Sequence, residues 1–210
     1  MKLWGRVNSV NVQKVLWCLE ELQLPYDRTD AGMQFGVVGT AEYRALNPNG
    51  RVPTLEDGGL VLWESNSILR YLCQAYPAAS GGLYPDKPGA RARVDRWLDW
   101  QLSTLTPAER PLFWGMVRTA PDKRDPASIA LASTESAACW RIVDAQLAAL
   151  GGGFIEGDGF TLADLVLGAF ARRWYGVEIA NRPDFPALEE WYGRVATRAG
   201  FVRFCAPPLT

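Results

Sequence analysis

Three small polar side chains, Asn8, Ser9 and Asn11, stand in an otherwise apolar stretch, WGRVNSVNVQKVLWCLEELQLPY (residues 4–26), at the point where a short hydrophobic start gives way to a strongly patterned helix. A helix N-terminus carries unpaired N–H groups and a partial positive charge, so a hydroxyl and an amide placed there can cradle an anion. The same residue types also cap helices with no chemistry attached. Histidine is absent. That excludes a Ser-His-Asp triad, a Cys-His pair and most zinc sites, so we expect no metal. Any reaction must run on hydroxyls, amides, carboxylates, arginine or the thiol of a bound molecule.

A second cluster of such residues follows at 47–66. Asn47-Pro48-Asn49-Gly50 is a turn sequence. Pro53 then falls inside an apparent strand, where a residue that cannot donate to the ladder belongs at an edge, at a bulge or after a cis bond. A cis bond would present the backbone N–H and C=O of Val52 as a pair, which suits an extended peptide added along the edge. Glu64-Ser65-Asn66 opens the next helix. The Ser65 hydroxyl and the free N–H groups there can hold a carboxylate, and Glu64 can pair with an ammonium. Together they suit the two charged ends of an amino acid, although capping alone also accounts for Ser65.

These residues need a scaffold, and the hydrophobic pattern supplies one. Lys2-Leu3-Trp4 and Tyr26–Thr29 read as short strands. Val12, Val15, Leu16, Leu19 and Leu22 recur at helical spacing between them. Residues 31–39 hold three glycines and read as a loop, and Thr40 caps a short helix to Leu46. Val52–Leu55 and Leu60–Trp63 flank the Asp57-Gly58-Gly59 turn as a hairpin. Ile68, Leu69, Leu72 and Tyr76 share a helical face. Prolines and glycines interrupt residues 78–89, and beyond them only helical patterns appear, including the capping box Thr161-Leu162-Ala163-Asp164. The expected architecture is a small α/β domain (1–77), a linker (78–89) and an all-α domain (90–210).

Composition sets the outer limits. The chain has 210 residues, 48% hydrophobic and 21% charged, with a net charge of −1. It offers no electrostatic case for nucleic acid or an anionic membrane, no apolar run long enough to span a bilayer, and no signal-peptide pattern at its start. The four cysteines are scattered and read as buried thiols. These features point to a cytoplasmic protein.

Taken together, the motifs resemble the soluble glutathione transferases, in particular the bacterial Ser-type classes of theta, delta or nu character. NPNGRVPTLEDGGLVLWESNSILRYL (47–72) resembles the signature of that family's thioredoxin-like domain. GDGFTLADLVLGAF (157–170) and FPALEEWYGRVATRAGF (185–201) resemble motifs of its helical domain. The resemblance implies that glutathione is the co-substrate, with Val52 and Pro53 at its cysteinyl part and Glu64 and Ser65 at its γ-glutamyl end. It also implies that Ser9 faces the sulfur, and that Asn11 joins it as in the nu class. Related chains often carry His at the positions of Val38 and Gly50 and Arg at that of Asn66. Their absence leaves Asn49, Arg51 and Gln34 as candidates for the glycyl end, with Asn66 also counted among the glutathione-binding positions.

The implied activity is transfer of the glutathione thiolate to a small hydrophobic electrophile, a detoxification chemistry. The alternatives are a nu-like disulfide reductase or peroxidase, and a non-catalytic adaptor on the same fold. Phe35, Arg110, Phe113, Trp114 and Trp174 are the candidates for the electrophile pocket. Arg110 either steers an anionic substrate or is a solvated surface residue. The family resemblance further implies a homodimer, formed through the hairpin edge and the helix carrying Trp97 and Trp100.

Overall fold

The structure, a computed structural model, describes residues 1–151 and 153–210. Its first part is a four-stranded mixed sheet built from β1 (Lys2–Trp4), β2 (Asp27–Thr29), β3 (Thr54–Asp57) and β4 (Leu60–Trp63), in the order β2-β1-β3-β4. β1 and β2 are parallel and the other two pairings are antiparallel. Leu3 faces Leu55, and Leu55 faces Leu62, in the register. Helices α1 (Val10–Glu21) and α3 (Ser65–Ala75) pack against each other and share one apolar core with Leu3 and Leu55. Thr40 caps the short α2 (Ala41–Leu46) by accepting from the Tyr43 N–H at 3.2 Å. This is the thioredoxin-like half expected from the sequence.

The second half is helical. Pro77–Ser80 forms the single-turn α4 inside what reads as an irregular stretch, and Leu83 and Tyr84 beyond it are buried. The Leu83 carbonyl accepts from the Leu162 N–H at 2.8 Å, so this stretch is docked on the helical half rather than strung loosely between domains. Next come α5 (Pro88–Trp100), α6 (Thr106–Phe113), α7 (Pro126–Ala149), α8 (Leu162–Gly176), α9 (Pro186–Ala196) and α10 (Ala199–Phe204).

A π turn over Gln101–Leu105 leads into α6 before Pro107, and a second over Trp114–Arg118 follows Pro111. Proline removes a ladder hydrogen bond, and a shift to i→i+5 bonding is one way a helix runs on past it.

α8 is buried along most of its length. Its N-terminus carries the expected capping box. Thr161 Oγ1 accepts from the Ala163 N–H at 3.3 Å, and Asp164 Oδ2 accepts from the Thr161 N–H at 2.9 Å. Trp17 of α1 joins the halves. It lies so close to Gly168 of α8 and Gly200 of α10 that a Cβ on Gly200 would sit 2.2 Å from its ring. Only glycine permits that approach.

Candidate functional site

Between the two halves lies a cleft of about 460 Å³. The mouth of α1 forms one wall. Ser9 occupies the cap position in extended backbone (φ −95°, ψ 121°), yet its side chain makes no capping hydrogen bond. The capping role suggested by its residue type is therefore unfilled, and the hydroxyl remains available in the cleft. Asn11, in the first turn, accepts from the Ser65 Oγ at 3.3 Å through its Oδ1. That bond ties the start of α1 to the start of α3.

Glu64, just before α3, has φ 69° and ψ 110°. This left-handed backbone region is uncommon for a non-glycine residue and costs on the order of 1–3 kcal/mol. It places Glu64 beside Ser65 on the cleft wall.

The neighbouring wall is the segment before β3. Its Val52–Pro53 bond is cis, and both residues line the cleft. Tyr43 and Asn47 hold the segment from behind. The Tyr43 hydroxyl donates to the Arg51 carbonyl at 2.7 Å, and the Asn47 amide donates to the same carbonyl at 2.9 Å. Asn49 and Arg51 complete this side. Ser9, Asn11, Asn49, Arg51, Val52, Pro53, Glu64 and Ser65, singled out from the sequence, are thus brought to one place.

Two expected glutathione-side residues lie elsewhere. Asn66 follows Ser65 by about 100° around α3 and so turns into the core. It is buried, accepts from Lys14 Nζ at 2.8 Å and donates to the Leu98 carbonyl at 2.8 Å. Gln34 is exposed on the 3₁₀ turn Met33–Phe35, and Met33 of that turn supplies the cleft wall instead.

The electrophile-side candidates also divide. Arg110 and Trp114 line the cleft. Phe35 is 43% exposed on the 3₁₀ turn outside it. Phe113 is buried beneath the Arg173 guanidinium, 3.8 Å from the ring centre. Trp174 is fully buried, its ring centre 6.5 Å from that of Trp140 and 6.3 Å from that of Phe185. It follows Arg173 on α8 and therefore faces away from the cleft.

Sequence reading missed the floor of the cleft, which includes Arg6, Glu109, Phe170 and Arg173. Arg173 Nη1 meets Glu109 Oε2 at 3.5 Å, while Glu109 Oε1 is buried with no partner. Burial pushes the Glu109 carboxyl up to about 7, against the downward pull of Arg173. Burial also lowers the Arg173 and Arg6 pKa values, and the neighbouring arginines add to both effects. One signal was present: Val166, Phe170 and Arg173 fall at i, i+4 and i+7 on an otherwise buried helix, which places Arg173 on an inward face.

Behind the wall, Lys14 is fully buried. Its Nζ donates to Asn66 Oδ1 at 2.8 Å and Gln101 Oε1 at 3.1 Å. Burial lowers its pKa to about 7, with Glu64 pulling the other way. Between about pH 7 and 10.5 the unfolded chain holds a proton that the fold does not, so Lys14 makes stability rise with pH across that window. Lys14→Met should remove that rise, on the order of 5 kcal/mol across the window. Denaturant titrations of both proteins at several pH values check this, and equal slopes would contradict it.

The glutathione S-transferase N-terminal domain matches residues 8–75 and the C-terminal domain matches residues 105–199. The chain belongs to the glutathione S-transferase family. This transferase is 41% identical over 210 residues to glutathione S-transferase GstB of Escherichia coli, covering 99% of each chain. It is 31% identical to glutathione S-transferase 3 of Zea mays, over 98% of this chain and 93% of that one. It is also similar to the theta class glutathione S-transferase of Xanthomonas axonopodis pv. citri, solved with glutathione bound. That structure superposes with a TM-score of 0.93 at 46% identity, covering 100% of this transferase and 98% of that chain. No helix among the described residues is long and apolar enough to cross a membrane.

Proposed function

We propose that this glutathione S-transferase binds glutathione along the first-domain wall of the cleft, stabilises its thiolate at the mouth of α1, and transfers it to a small electrophile lodged against the helical domain. The observation that carries this reading is the Ser9 hydroxyl, which stands at the helix start without a capping bond, in one cleft with Asn11, Val52, Glu64 and Ser65.

A free thiol has a pKa near 8.5, and lowering it by about two units takes roughly 2.7 kcal/mol of preferential stabilisation of the anion. A hydroxyl, an amide and a helix N-terminus supply that order of energy. Ser9 serves as a donor and never as a base, which agrees with a chain that has no histidine. The Val52 backbone pairs with the cysteinyl part of glutathione. Glu64 meets the α-ammonium and Ser65 the α-carboxylate. Asn49 and Arg51 attend the glycyl end.

Ser65→Ala should weaken glutathione binding about tenfold by calorimetry while leaving the melting temperature of the unliganded protein nearly unchanged. Wild-type affinity in that variant would remove the assignment.

The bond from Ser65 to Asn11 favours one further reading. It holds Asn11 beside Ser9 in the cleft, the pairing that the nu-like pattern uses in disulfide reduction. The same thiolate attacking a disulfide sulfur instead of carbon gives that activity.

The division into residues 1–77, 78–89 and 90–210 belongs to the same proposal, as does a homodimer in the cytoplasm. All four cysteines are free and buried, which suits a reducing compartment. Leu60, Val61 and Trp63 of β4 are exposed apolar residues on the hairpin and supply a partner face. Trp97, expected there, is instead buried and donates to Glu156 Oε1 at 2.6 Å. Light scattering at micromolar concentration should return twice the protomer mass, and a protomer mass would count against pairing.

A further inference from the structure

The floor of the cleft is unlike an apolar pocket. The guanidinium groups of Arg6 and Arg173 line it, the charge of Arg118 lies close enough behind them to lower the pKa values of both, and Glu109 is the buried carboxylate beside them. Glu109 does not use up the positive charge. Its single contact with Arg173 is a long one at 3.5 Å, and its Oε1 is buried without a partner. Arg6 Nε is likewise buried and unpartnered. Arg118 donates to the Asn8 carbonyl at a long 3.4 Å, and its guanidinium carbon lies 5.7 Å from the Phe113 ring centre.

Arg173 is held flat by Phe113, its guanidinium carbon 3.8 Å from the ring centre, so its N–H edge is fixed in direction while most of its donors are unspent. Leu102 and Trp114 supply half-exposed apolar surface on the same wall. A planar cation beside apolar surface, surplus positive charge and orphaned donors together describe a receptor for an anion with a hydrophobic body.

Resting on the proposed glutathione reading, we infer that the electrophile of this transferase carries a carboxylate, and that Arg173, assisted by Arg6, holds it while Leu102 and Trp114 carry its apolar part. The glutathione sulfur uses its electron pair to form the C–S bond. The leaving group, for instance chloride, departs with the electron pair of the bond it breaks, and the thiol proton has already passed to solvent. Above about pH 7, where it is ionised and where the test is run, Glu109 is the internal counter-ion that competes with the incoming carboxylate for Arg173. Removing its charge should therefore favour anionic electrophiles, whereas removing the charge of Arg173 should disfavour them.

The test compares an anion with its neutral counterpart. On the glutathione-saturated protein, 4-nitrobenzoate and 4-nitrobenzamide are titrated by calorimetry. Their reactive analogues, 4-chloro-3-nitrobenzoate and 4-chloro-3-nitrobenzamide, are assayed for kcat/KM. The wild type should prefer the benzoate in binding. Arg173→Gln should lower the benzoate-to-amide ratio about tenfold or more, and Glu109→Gln should raise it about threefold or more.

The opposite signs keep the test decisive if Arg173→Gln fails to fold, because Glu109→Gln then carries it alone. The binding arm decides even where neither analogue turns over. Ratios that do not move, or that fall in Glu109→Gln, would overturn the inference. So would a loss of glutathione affinity in Arg173→Gln that slows both substrates equally, since the arginines would then serve glutathione itself. A wild-type protein that fails to bind glutathione at all would instead remove the underlying reading of the cleft.

Discussion

The Ser9→Ala/Asn11→Ala double variant should conjugate glutathione at neutral pH roughly 100-fold more slowly than the wild type, with a loss on the order of 2.7 kcal/mol in transition-state stabilisation. Ser9 has a hydroxyl that the helix does not use, and Asn11 has an amide whose oxygen is already engaged by Ser65. If both face the sulfur, each single change should cost less than the double, and the cycle should show coupling, because the two donors act on one atom. Asn11→Ala has a second effect: it releases Ser65, so it should raise the glutathione KM as well as lower kcat, whereas Ser9→Ala should act mainly on kcat. Steady-state kinetics on the two singles and the double separate these terms. A double variant within twofold of wild type would show that the helix terminus alone holds the anion.

Asp164→Ala should cost about 3–5 kcal/mol of stability and lower the melting temperature by roughly 10 °C. The carboxylate is fully buried and accepts four hydrogen bonds, from the N–H groups of Ile155 and Thr161, the Thr161 hydroxyl and the Trp191 indole. Burial raises its pKa, and those four donors pull it back down. Removing it strands every donor and breaks the reciprocal half of the capping box on α8, a helix buried along most of its length. Asp164→Asn should not restore wild-type stability, because its N–H₂ group would face donors. Thermal denaturation of both variants checks this, and a shift of only a few degrees in Asp164→Ala would contradict it.

The Asp164 cap shows what the sequence could reveal. A capping box, a turn cluster and a proline beside a hairpin are local patterns, written within four or five residues, and each led to its element, although Pro53 stands just before β3 rather than within it. The alternation and helical spacing of apolar residues did the same for the sheet, for α1 and for α3. What was missed depends on packing between distant segments.

Asn66 reads as a polar neighbour of Ser65, yet the rotation of one helical residue carries it into a buried network with Lys14 and Gln101. Lys14 looks like a solvated lysine until α1 is seen covered on one side by α3 and on the other by α8 and α10. Trp174 and Phe113 read as pocket walls because aromatic residues serve pockets and cores equally well, and residue type alone does not say which. Glu109 and Arg173 are separated by 64 positions, and nothing local couples them. Their meeting gives the cleft its charged floor.

The central claim is that this cleft holds glutathione as a thiolate at neutral pH. Its most direct test is a titration of the bound thiol by ultraviolet difference absorbance on the wild-type protein, with free glutathione as the reference. The account predicts a bound thiol pKa of about 6.5, some two units below that of the free thiol. A bound thiol that titrates at or above the free value would contradict it.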